Sequence, residues 1–185
     1  DEGNVMAAEE EEETDDDPES LYTKAEKGGD QFKYLEPLAK IYGQAGAFLV
    51  KLMQYEGAIV LQQEVVDIDR SRFGTMSERV AEGLRQLSAT QFLMGRIEAA
   101  MSSLYRAIGI YSHHKMTGTL EYAETLFEMS RVARYTEDIA GAKNKCLLAL
   151  HIFQKVYGLD DPRLAPVLNR LACLMIEMGP EEQDE

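Results

Sequence analysis

Four alanines, Ala39, Ala81, Ala123 and Ala165, stand 42 residues apart. The same step of 42 separates Ala58, Ala100 and Ala142, and again Ile68, Ile110 and Ile152. Tyr42, Leu84, Leu126 and Leu168 keep it too, and Gly74 and Gly158 lie two steps, 84 residues, apart. No other feature restricts the fold as strongly. A period in this range means one supersecondary unit used several times, each copy burying its apolar face on the next. Small residues recur where backbones approach, and large apolar ones recur where a core has to be filled.

Inside each unit the apolar spacing is helical. Ala123, Leu126, Met129 and Ser130 make one stripe, and Ile139, Ala142, Cys146, Ala149, Leu150 and Phe153 make the next. Helices are expected at 33–52, 55–71, 78–94, 97–113, 120–136, 139–156 and 162–178, grouped into units 33–74, 75–116, 117–158 and 159–179. Breakers separate them: "EKGGD" at 26–30, "FGTMS" at 73–77, "KMTGT" at 115–119 and "GLDDP" at 158–162. In the last of these, Gly158 suits a helix end, Asp161 an N-cap and Pro162 the first helical position. Nothing alternates with period two between turns, so the expected class is all-α.

The register resembles tetratricopeptide repeats of the long, kinesin-light-chain type. The fourth unit carries most of the likeness, with "GLDDP" followed by "APVLNRLACLMIEMG". The third contributes "AETLFEMS" and "ALHI", the second "AEGLRQLS", "GRIEAA" and "AIGI", and the first only "YEGA" and Ile68. The resemblance implies a right-handed α-solenoid of about three and a half helix–turn–helix repeats, with the last first-helix as a cap. It also implies that the first helix of each unit lines a concave side on which a partner protein is held.

Peptide-binding members of that family grip a peptide backbone with successive Asn residues. Here the corresponding positions read Gly43, Arg85, Phe127 and Asn169, and then Gln44, Gln86, Glu128 and Arg170. Only Asn169 is retained, which argues against capture of the light-chain kind. The Lys/Asn/Arg set with which other such repeats clamp a terminal carboxylate does not line up either. What remains is a mixed surface. Lys40, Gln44, Arg85, Gln86, Glu128, Arg131, Arg134, Asn169 and Arg170 are the expected partner-binding positions. Arginine suits bidentate carboxylate recognition, so an acidic or mixed-charge segment is the expected ligand, with solvated ion pairs as the plainer alternative.

Charge enters through its distribution. Residues 1–20 hold 11 acidic groups and no Lys or Arg, while the remainder balances 22 acidic against 19 basic residues. The first 20 residues are expected to be a disordered acidic tail, a solubiliser or an arm able to occupy the protein's own groove. Residues 21–32 read as a linker or incomplete helix, and 180–185 as a second acidic tail. No basic stripe favours nucleic acid, and no run approaches the roughly 18 apolar residues of a membrane span. Cys146 and Cys173 lack metal or redox spacing. A cytoplasmic or other reducing compartment is expected, or an organelle matrix or stroma after removal of a targeting peptide, since the sequence starts at Asp1.

Catalytic chemistry, a metal and a cofactor are not expected. His113 and His114 sit at a helix end, where a cationic cap is the natural role, and His151 falls on a solvent-facing position. "GQAGAF" at 43–48 imitates a phosphate loop but lies within the first helix. Tyr105, Tyr111, Tyr122, Tyr135 and Phe153 are expected in packing, and Met53, Met94, Met101, Met129 and Met175 as gap-fillers. Two functions fit: an adaptor or scaffold that holds a partner segment, or a structural or regulatory subunit packed in a larger transport, ciliary or organellar assembly or docked on an enzyme.

Overall fold

The computed structural model describes residues 34–179. The expectations for 1–20, for 21–32 and for 180–185 lie outside the described residues. Among the described residues seven α-helices follow one another: α1 (Leu35–Lys51), α2 (Tyr55–Phe73), α3 (Glu78–Leu93), α4 (Ile97–His113), α5 (Leu120–Ala133), α6 (Ile139–Tyr157) and α7 (Ala165–Met178). The expected α5 and α7 each extend three residues too far. Arg134–Thr136 and Pro162–Leu164 are turns of 3-10 helix, the tighter form that commonly closes or opens an α-helix.

Helix starts and stops follow local chemistry. Ser77 caps α3 by accepting from the Val80 N–H at 3.3 Å, and Asp138 caps α6 by accepting from the Gly141 N–H at 2.8 Å. Thr119 does the same for α5. Each satisfies one of the amide donors that a helix start leaves without a partner. Within each unit the turn after the first helix needs one residue at positive φ, and the repeat supplies it in register. Met53, Gly95, Glu137 and Gly179 take φ of 59°, 80°, 61° and 74°. Glycine fills this place in two units, and a side chain is forced into it in the other two.

α1 packs on α2, α3 on α4 and α5 on α6, and each second helix then packs on the first helix of the next unit. The small recurrent residues sit where the register requires. Ala58, Ala100 and Ala142 are fully buried, and Gly46 lies 3.3 Å, measured from an ideal Cβ, from the Gln62 side chain. That contact explains Gly46 of "GQAGAF" by packing, whereas a side chain at Gly43 would meet open space. Ile68, Ile110 and Ile152 are all buried. The core runs along the array, from Val66, Leu84 and Tyr111, through Ala100, Leu104 and Met129, to Cys146, Phe153, Leu164 and Leu174. The first unit is weakest in sequence, and its α1 is the least buried of the first helices, with Gly46 alone buried.

The end of the array departs from the rule. Leu84 and Leu126 are buried, yet Leu168, in the same register, is 45% exposed. No helix follows α7 among the described residues, so the stripe of Leu168, Ala172 and Ile176 is exposed.

Asp161, which opens the turn before α7, makes one prediction here. It accepts from the Arg163 side chain at 2.9 and 2.8 Å and from the Arg163 backbone N–H at 2.8 Å. These bonds hold its carboxyl at about 2, below the ordinary 3.8. Its contribution to stability is therefore complete above about pH 4 and lost as pH falls through the folded value. The Asp161→Asn variant is expected to show a flatter fall in stability between pH 4 and pH 2 than the wild type, measured by denaturant titration. Parallel curves would remove the carboxylate from this role.

Candidate functional site

The first helices of successive units draw close to one another. α3 touches α5 directly, and side chains bridge both α3 to α5 and α5 to α7. This makes the side lined by α3, α5 and α7 the inner side of the array. Among the described residues, cavities open along it at two places.

The first lies between α3, α5 and α7. It holds about 340 Å³ and is lined by Phe92, Phe127, Arg131, Tyr135, Pro166, Asn169, Arg170 and Cys173. Its floor is aromatic: Phe92 and Tyr135 meet edge to face, with centroids 5.2 Å apart at 70°, and the Arg131 guanidinium stands 5.5 Å over the Phe92 ring. Arg131 is in turn held by Glu128 at 2.8 Å. Arg170 donates through one terminal nitrogen to the Ser130 carbonyl at 3.0 Å and the Arg131 carbonyl at 3.4 Å. It thereby satisfies carbonyls at the C-terminal end of α5, a place that favours a cation. Arg134 pairs with Glu177 across the same rim.

The second cavity, about 450 Å³, opens where α3 and α5 begin, and it involves Glu78, Arg79, Glu82, Arg85, Tyr111, Met116, Glu121 and Glu124. Arg85 is bound bidentately by Glu82 at 2.9 and 2.8 Å and reaches Glu124 at 3.3 Å on the neighbouring unit. Burial alone would weaken the Arg85 cation; the hydrogen bonds to Glu82 and the charges of Glu82 and Glu124 outweigh it and push its pKa up. Gln86 donates to the same Glu82 carboxylate at 2.7 Å.

Of the positions expected to bind a partner, Arg131, Asn169 and Arg170 come together in the first cavity, with Glu128 and Arg134 at its rim. Arg85 and Gln86 belong to the second group. Lys40 and Gln44 are exposed on α1 and line neither cavity. Three of the four arginines are thus paired internally with carboxylates, and Arg170 is spent on backbone carbonyls.

The aromatics divide differently from the expectation that all of them pack. Tyr111 and Phe153 are buried and Tyr122 is half-buried, but Tyr135 is 62% exposed in the first cavity and Tyr105 56% exposed on α4. Phe92 escaped notice because it does not sit at a repeating position, and Cys173 was read only for metal or redox spacing. Among the methionines, Met129 fills the core, whereas Met53 is exposed in its positive-φ turn. His114 donates its ring N–H to the Met76 carbonyl, tying the end of α4 to the turn before α3, and His151 is exposed. Burial raises the Cys146 thiol above its ordinary value, while Cys173 is exposed. Among the described residues no cluster of His, Cys, Asp or Glu is arranged to hold a metal ion, and no helix is long and apolar enough to cross a membrane.

This is the architecture of a tetratricopeptide-type repeat array, and comparison with solved structures agrees. The chain is similar to BtubC (BKLC) from P. vanneervenii, with a TM-score of 0.68 at 15% identity, over 84% of this chain and 70% of that one. It is also similar to a Podospora anserina protein with nearly identical repeats like those of kinesin light chains, and to a single-substitution variant of that protein. For each of these the TM-score is 0.61 at 17% identity, over 78% of this chain and 65% of that one. The chain therefore spans just under two thirds of the Podospora protein. No family model matches the sequence, and no curated protein matches it. The likeness establishes an all-α, kinesin-light-chain-like repeat fold.

Proposed function

We propose that this chain is a non-catalytic interaction module that holds a segment of a partner protein on its inner side, centred on the cavity between α3, α5 and α7. One observation carries the reading. Tyr135 leaves most of its ring in solvent while its edge-to-face partner Phe92 lies partly buried beneath Arg131, so an aromatic floor with a polar rim is open to solvent on the inner side. Rigid aromatic anchors beside arginine are the composition of interface hot spots. Internal ion pairs neutralise the rim, so the partner is a mixed-charge segment that docks an apolar side chain onto Phe92 and Tyr135.

A second reading has its own support. Leu168 at 45% and Ile176 at 79% exposure put an apolar stripe on the outer face of α7, as a subunit packed into a larger assembly would carry. The two separate by quantitative affinity capture with the full chain. Under the proposal, Tyr135→Ser loses its partners while Tyr105→Ser, on the opposite helix layer, keeps them. Retention by Tyr135→Ser together with loss by Ile176→Ser would transfer the function to the end face.

A further inference from the structure

The second cavity carries a chemical preference of its own. Four carboxylates, Glu78, Glu82, Glu121 and Glu124, face two guanidinium groups, Arg79 and Arg85. Arg85 is already shared between Glu82 and Glu124, and Arg79 lies 4.7 Å over the Phe73 ring. Glu78 and Glu121 have no ion-pair partner among the described residues, and the cavity keeps a net charge of minus two, four carboxylates against two cations.

An independent feature points the same way. Tyr111 lines this cavity and is only 1% exposed, yet its hydroxyl is buried with no hydrogen-bond partner. Such a group costs the free protein stability, and native structures rarely keep one without a use. The phenol feels the charges of Glu82, Arg85, Glu121 and Glu124. Its oxygen is an open acceptor at the base of a negatively charged cavity.

We propose that the cavity between the start of α3 and the start of α5 takes a cationic side chain, arginine or lysine, presented by a partner protein. The Tyr111 oxygen accepts one of its N–H groups, and the carboxylates of Glu78 and Glu121 balance its charge. The buried oxygen and the unbalanced charge then meet partners in the bound state that the free state lacks, which turns a stability cost into selectivity for a cation. The inference rests on the reading that the inner side receives a partner segment, and it adds a basic residue to that segment.

A minimal probe tests the cavity without any partner, so its failure is separable from failure of the interaction reading. The full chain, labelled with nitrogen-15, is titrated with Ac-Ala-Arg-Ala-NH2, and with Ac-Ala-Gln-Ala-NH2 as the neutral control. Saturable shifts are expected at amides of 78–85 and 111–124 with the arginine probe alone. The Glu78→Gln, Glu121→Gln double variant should bind it about fivefold more weakly. Tyr111→Phe should bind about threefold more weakly although it melts at or above the wild-type temperature. Shifts confined to the acidic residues 1–20, or a Tyr111→Phe variant that binds the probe as the wild type does, would overturn the proposal.

Discussion

Truncation of Leu84 to alanine is expected to cost about 2–5 kcal/mol, while the same truncation of Leu168 costs about 1 kcal/mol or less. The two leucines hold one register position, two units apart. Leu84 is fully buried between α2, α3 and α4, so its loss leaves a cavity that fixed neighbours cannot fill. Leu168 has its outer side in solvent because no further helix covers α7 among the described residues. Urea titrations of both variants read the difference as a shift in midpoint at constant slope. Equal shifts would mean that α7 is covered as the earlier first helices are, and that the array continues.

Reversing Arg131 and Arg134 together to glutamate is expected to weaken partner capture about tenfold or more. The fold should lose about 1–2 kcal/mol, because both ion pairs are partly solvent-exposed. The reversal places a carboxylate beside Glu128 and another beside Glu177, and removes the cation from above Phe92. Circular dichroism melting monitors the fold, and capture with the same variant monitors the site. Undiminished capture by a folded double variant would put the contact surface elsewhere.

The repeat was legible because each unit must solve the same packing problem. Ala58, Ala100 and Ala142 repeat since a larger side chain at any of them would push the second helix off the first. Their burial follows from the register alone. The turn geometry was half legible: Gly95 and Gly179 mark the positive-φ position, but Met53 and Glu137 conceal it in the other two units. The 3-10 turns at Arg134–Thr136 and Pro162–Leu164 carry a helical pattern, so sequence assigned them to α-helix.

The candidate site was legible only in part, and for a physical reason. A binding surface is what differs between units, so a repeat offers no register by which to find it. Arg131, Asn169 and Arg170 were reached through their place on the first helices. Phe92 and Tyr135 were not, because helical spacing alone does not tell a buried ring from one at a cavity mouth. The pairing of Arg85 with Glu124 joins residues 39 positions apart, and that of Arg134 with Glu177 joins residues 43 apart. Such links depend on how closely the units stack, which local pattern does not report. Only the fold therefore shows that Glu124 shares Arg85 with Glu82.

A partner held in the inner cavity between α3, α5 and α7 should be open to covalent capture. Photo-cross-linking tests this most directly, with benzoylphenylalanine placed in the full chain at position 169, at position 105 on α4, or at position 176 on the outer face of α7. After irradiation in native lysate, the cross-linked peptides are sequenced. One recurrent partner segment is expected to be joined at 169 and lost when Tyr135 is replaced by serine, with no matching product at 105 or 176. Recurrent cross-links at 105 or 176 with none at 169 would contradict that placement.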